Sequence, residues 1–193
     1  MLVTRRFGVY PGSFNPPTIG HLAIAQAAAR QRGLERVDLA VSRVALGKEL
    51  TVVPPFEDRI AVLKASVADI DGVEVVVTDH QLLIDIAQGY HVVVMGADKW
   101  AQVQDPAFYG NSVEARDRAV ESLLGLELAI APRPPFAVPG GTELDIASEM
   151  VEVSSSGARQ GRLEWMTPEA RAFDEATGAW SDPDLYGRSA RPQ

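Results

Sequence analysis

The chain has 193 residues, 46% hydrophobic and 23% charged, with a formal net charge of −8, which suits one globular domain and is the wrong sign for a duplex DNA binder. It has no cysteine and three scattered histidines, His21, His80 and His91, which excludes a disulfide framework, a thiolate metal site and a cysteine nucleophile and gives no support to a zinc cage. No apolar run approaches the ~20 residues of a membrane span, and the N-terminus lacks a small-residue cleavage site, so the expectation is a soluble cytoplasmic protein with no membrane or nucleic-acid partner.

Taken in chain order, "RFGVY" (6–10) is the first short apolar run, followed by an Ala-rich helical stretch over 18–32. "RVDLAV" (36–41) is a second strand, and Ile60, Leu63 and Val67 mark a helix over 56–69. "VEVVVT" (73–78), a helix over 80–88, "HVVVMG" (91–96), a helix over 112–125 and "LELAIA" (126–131) continue the alternation. Strands with so little polar alternation are buried on both faces, and the βαβα order predicts a doubly wound parallel sheet with right-handed crossovers. "EMVEV" (149–153) is read as a sixth short strand ahead of "SSSGAR", and "PEARAFDEAT" (168–177) as a last helix. The domain is expected to span 1–178, with a short C-terminal helical appendage from about 155 and a poorly ordered tail over 179–193.

The chemistry concentrates where the first strand breaks. "YPGSFNPPTIGHL" places Gly12, Ser13, Phe14, Asn15 and two prolines before a helix that starts at Thr18 and carries His21 in its first turn. In an open parallel sheet, ligands bind beyond the carboxyl ends of the strands, and a helix start there attracts an anion. Thr18 is a plausible N-cap, Gly12 and Gly20 leave room for a close approach, and His21 can face charge that develops on a phosphate. A lone histidine at a helix start is ordinarily a capping residue; here several features share one site.

"GSFNPPTIGHL" resembles the signature of the Rossmann-like nucleotidyltransferases that carry an H-x-G-H or T-x-x-H motif, and its Asn-Pro form is most similar to the nicotinamide/nicotinate mononucleotide adenylyltransferases. "VSSSGAR", with Ser154, Ser155, Ser156 and Arg159, resembles the family's late Ser-Ser-Ser/Thr-x-x-Arg run. Between them, "VSRVALGKEL…VPPFEDR" is similar to the stretch bearing a substrate-loop lysine, here Lys48, and a helix arginine, here Arg59. "GADKW" resembles the strand end giving Gly96, Ala97 and Asp98, and "LELAIAPR" the fifth strand with Arg133. Thr18 replaces the first His of H-x-G-H, and a pyridine-stacking tryptophan has no clear counterpart beyond Trp100 or Tyr109.

The resemblance implies AMP transfer from ATP to a nicotinamide or nicotinate mononucleotide, with release of pyrophosphate and formation of a dinucleotide. His21, Lys48 and Arg159 are the implied catalytic residues. Gly12, Ser13, Phe14, Thr18, Gly20, His21, Gly96, Asp98, Ser154, Ser155, Ser156 and Arg159 would bind ATP; Asn15, Lys48, Arg59, Asp98, Trp100 and Arg133 would bind the acceptor. Mg²⁺ is expected to arrive on ATP, with no protein metal cage. Two alternatives stay open: another phosphorylated acceptor such as pantetheine phosphate, or a non-catalytic nucleotide-binding regulator. A homo-oligomer is compatible with all three.

Overall fold

The structure, a computed structural model, describes residues 5–43 and 53–189; the expectation for Lys48 lies outside them. Five parallel strands form one sheet in the order β3-β2-β1-β4-β5. They are β1 (Phe7–Pro11), β2 (Arg36–Ser42), β3 (Val73–Thr78), β4 (Val92–Gly96) and β5 (Glu127–Ala131). Each lies within a residue of the run predicted from sequence, because a strand buried on both faces leaves an unbroken apolar signature; β3 is the exception to the expected burial, since at the sheet edge it leaves Glu74 and Val77 exposed.

The helices are α1 (Ile19–Arg32), α2 (Phe56–Val67), α3 (Leu83–Ile86), α4 (Ala97–Val103), α5 (Val113–Leu124), α6 (Ser155–Arg159), α7 (Pro168–Thr177) and α8 (Pro183–Ser189). Alternate residues of each strand face opposite layers. Val37, Leu39 and Val41 join Ile24, Ala25 and Ala28 of α1 and Ile60 and Leu63 of α2 on one face. Val9, Val93 and Met95 join Trp100, Val103 and Leu123 on the other. Truncating a fully buried residue such as Leu39 to alanine would cost about 2–5 kcal/mol. The order reverses between β1 and β4, so the crevice of a doubly wound sheet opens at their carboxyl ends.

Three expectations change. The helix predicted over 80–88 is a single turn, Leu83–Ile86, because the chain turns back through Gly89 at φ 83° to enter β4. The strand predicted over 149–153 is a 3₁₀ turn, Ser148–Met150. The position beside β5 is already taken: the Ile130 N–H donates to the Thr142 carbonyl and the Leu144 N–H to the Ile130 carbonyl, each at 2.8 Å. In the stretch 179–193, expected as a poorly ordered tail, Ala179, Trp180 and Tyr186 are instead buried against Val62, Met166 and Ala170.

Candidate functional site

The loop after β1 is held in a way its composition dictates. Pro16 and Pro17 have no N–H, so the segment can bond to the rest of the chain only through its carbonyls. All of the donors come from the C-terminal third. Arg159 Nη1 donates to the Asn15 carbonyl, Ser155 Oγ to the Pro16 carbonyl at 2.7 Å, and the Thr167 N–H to the Pro17 carbonyl at 3.2 Å. The two motifs recognised in sequence therefore meet. Ser154 caps α6 by accepting from the Gly157 N–H at 3.2 Å, while Ser156 is exposed and accepts from Arg159 Nη2 at 3.3 Å.

α1 begins on a reciprocal cap. The Thr18 side chain accepts from the His21 N–H, and His21 Nδ1 accepts from the Thr18 N–H at 3.0 Å and lies 2.9 Å from Thr18 Oγ1. With Nδ1 an acceptor, the proton of the neutral ring sits on Nε2. Burial, then the nearby Arg133 guanidinium, pushes the His21 pKa down to about 3. The imidazole is thus a neutral donor at physiological pH. Phe14 presents an edge to it at 4.9 Å between centroids, which fixes the ring.

Across the crevice, β4 ends at Gly96, where a Cβ would fall 2.4 Å from Asp98 Oδ1. Asp98 faces Arg133 at 3.4 Å, and Arg133 also donates to the Val153 carbonyl at 3.0 Å. His21, Asp98 and Arg133 thereby lie together at the mouth of the crevice, with Arg159, at the end of α6, bonded to the loop behind them. Among the described residues no three His, Cys, Asp or Glu side chains come together as a metal cage.

Several predicted contacts are occupied by the protein itself. A Cβ on Gly20 would meet Val153 at 2.9 Å, so that glycine admits the segment before α6, not a ligand. A Cβ on Gly12 would meet the Phe14 ring at 2.8 Å, and the Gly12 N–H is spent on the Ala40 carbonyl at 3.0 Å. Asn15 is buried with its Oδ1 accepting from Trp180 Nε1 at 2.6 Å, so that oxygen is already used within the protein. Ser155 is likewise committed to the loop. Trp100 is 5% exposed within the core under α4, so it offers no stacking face to a ring in the crevice. Sequence reasoning missed Trp180; the only trace was a large aromatic placed just after the glycine that ends α7.

Beside the crevice lies a cavity of about 330 Å³ at the ends of β1 and β2. One wall is aliphatic, from Leu83, Ile84 and Ile86 around α3 with Val103 and Leu123 opposite. Ser13 and Arg59 also line it. Arg59 lies over the Phe56 ring at 5.5 Å, and its buried Nε has no hydrogen-bond partner among the described residues. Desolvation lowers its pKa from the ordinary value, a cost that an incoming anion would relieve.

A family model described as cytidylyltransferase-like matches residues 9–161. The phosphopantetheine adenylyltransferase of Rhizorhabdus wittichii is 32% identical over 130 residues, which cover 66% of this chain and 75% of that protein. Its counterpart in Sphingopyxis alaskensis is 35% identical over 132 residues, covering 66% and 74%. The solved Plasmodium falciparum nicotinic acid mononucleotide adenylyltransferase complexed with NaAD superposes with a TM-score of 0.67 at 13% identity, over 91% of this chain and 97% of that one. At that identity the likeness shows a common fold.

Proposed function

Because the chain belongs to the cytidylyltransferase-like family, we propose that it is an adenylyltransferase that moves AMP from ATP onto the phosphate of a pantetheine-type acceptor and releases pyrophosphate. The observation that carries the choice of acceptor is the aliphatic cavity beside the crevice, with the unpartnered Arg59 Nε in its lining. A flexible, largely apolar arm with a single terminal phosphate suits those walls, and Arg59 suits the phosphate. The similarity to phosphopantetheine adenylyltransferases at 32–35% identity supports the same acceptor. A pyridine mononucleotide, the acceptor first implied by the sequence signature, has no stacking face from Trp100, which lies in the core, and would have to use Tyr109 in the cavity lining instead.

In this reaction an oxygen of the acceptor phosphate attacks the α-phosphorus in line, and the bond from that phosphorus to the bridging oxygen breaks as pyrophosphate leaves. Both partners bring their reactive oxygens, so the protein positions them and stabilises charge. His21 Nε2–H donates to the α-phosphate, where negative charge grows. Arg159 and Ser156 face the leaving phosphates, and Arg133 offsets charge at the crevice mouth. Mg²⁺ would supply further charge neutralisation, carried on ATP oxygens and water, since the described residues bring no carboxylate cage to it.

A substitution inside the aliphatic wall tests the acceptor assignment. Leu83→Glu should raise KM for pantetheine phosphate by about tenfold or more while leaving KM for ATP unchanged. Equal effects on both substrates would place the acceptor elsewhere.

A further inference from the structure

We propose that Trp180, beyond the segment the family model matches, is a positioning residue for the nucleotide site: its indole N–H holds the Asn15 amide, and with it the Asn15 carbonyl that anchors the Arg159 guanidinium. The inference rests on the reading that Arg159 faces ATP phosphates.

The chain of contacts is short and buried. Trp180 is 3% exposed and Asn15 is 9% exposed. Trp180 Nε1 donates to Asn15 Oδ1 at 2.6 Å, and the same residue's carbonyl accepts from Arg159 Nη1. An indole nitrogen is a donor only, so this one bond satisfies it, and nothing else on the tryptophan is polar.

The backbone that carries the indole is held from behind. Gly178 ends α7 in the left-handed conformation at φ 71°, and the chain turns so that Asp174 Oδ1 accepts from the Trp180 N–H at 2.7 Å and from the Ser181 N–H at 3.0 Å. Asp174 is buried, a costly place for a carboxylate unless its acceptors are used. Phe173 packs on the indole with centroids 5.7 Å apart. A purely adhesive tail would be served by apolar packing alone. Spending a buried carboxylate on the main-chain turn that carries the indole, while the indole nitrogen reaches the signature loop, points to control of that loop's geometry.

Asn15 needs such control because its neighbours cannot supply it. Phe14 sits at φ 43° and Pro16 and Pro17 have no N–H, so no local backbone bond fixes the Asn15 peptide. The position of its carbonyl, and hence of the arginine fork, is set by contacts from a distance. Arg159 works through a planar fork, so a small tilt of its anchor redirects every remaining donor.

Equilibrium binding of Mg²⁺·ATP to the full chain, measured well below the melting temperature, tests this without any acceptor. Trp180→Phe keeps the packing and loses the donor, and should weaken ATP binding about tenfold, as when a buried acceptor loses its partner. Tyr186→Phe loses the contact from the same segment to Asp58; it should lower the melting temperature and leave ATP affinity unchanged. In an Asn15→Ala background, Trp180→Phe should have no further effect on ATP affinity. Wild-type ATP affinity in Trp180→Phe, or an equal loss in Tyr186→Phe, would overturn the proposal. Failure of every acceptor to react would sink the acceptor assignment and leave this binding result standing, whereas an unmodified chain that binds no ATP would overturn both.

Discussion

At the scale of single residues, the proposed chemistry depends on a histidine that stays neutral. Folding lowers the His21 pKa from its ordinary 6.5 to about 3, so between those values the unfolded chain binds a proton that the folded chain does not. Stability must therefore rise with pH across that window and fall as the solution is acidified from 6.5 toward 3. Thermal melts of His21→Ala should show a shallower loss between pH 7 and pH 4.5 than the parent, and the His21 ring resonances of the parent should not titrate above pH 4.5. Removing the Nε2–H donor should cost about 3 kcal/mol in the transition state, a roughly hundredfold fall in kcat with a small change in KM. Arg159→Lys keeps the charge and loses the fork that spans Asn15 and Ser156; steady-state kinetics should show a KM for ATP raised roughly tenfold together with a lower kcat. The candidacy of His21 was legible only from several features meeting at one helix start after a strand, since a histidine there by itself is ordinarily a cap, and the structure does show it capping Thr18. The fate of Asn15 was not, because its partner Trp180 lies in the far C-terminal segment and no local pattern announces the pair.

At the scale of elements, the close approach of α1 to the segment before α6 is set by glycine. An added methyl at Gly20 would sit 2.9 Å from the Val153 Cβ and 3.2 Å from its carbonyl oxygen, and backbone cannot step aside as a long side chain can. Gly20→Ala should therefore cost roughly 1–3 kcal/mol in a urea titration, by overpacking, and should impair ATP binding by moving the start of α1. A Gly20→Ala variant as stable as the parent would contradict that packing. The five strands and the long helices were readable because their apolar periods are complete. α4 was not, since Ala97–Val103 follows the strand without a break and its Gly-Ala-Asp start resembles a turn. "EMVEV" misled in the other direction: its alternation suits a strand, yet residues 142–144 already occupy the edge of β5, leaving it no partner. Tertiary competition of this kind leaves no local mark.

At the scale of the whole molecule, a chain of net charge −8 keeps Arg59, Arg133 and Arg159 on the strand-end side of the sheet, where two phosphorylated substrates would meet. The fold positions this ring from three regions: α2, the end of β5 and α6. The C-terminal segment holds the signature loop through Trp180, and the cavity at the ends of β1 and β2 has one aliphatic wall that suits the arm of the proposed acceptor. The claim that these parts make an adenylyltransferase for a pantetheine-type acceptor is tested most directly by competition. The full chain would be incubated with ATP, Mg²⁺ and equal amounts of pantetheine phosphate, nicotinate mononucleotide and nicotinamide mononucleotide, and the adenylylated product identified by mass. The expected product is the adenylylated pantetheine, formed together with one pyrophosphate per product; a pyridine dinucleotide as the main product would contradict the proposed acceptor.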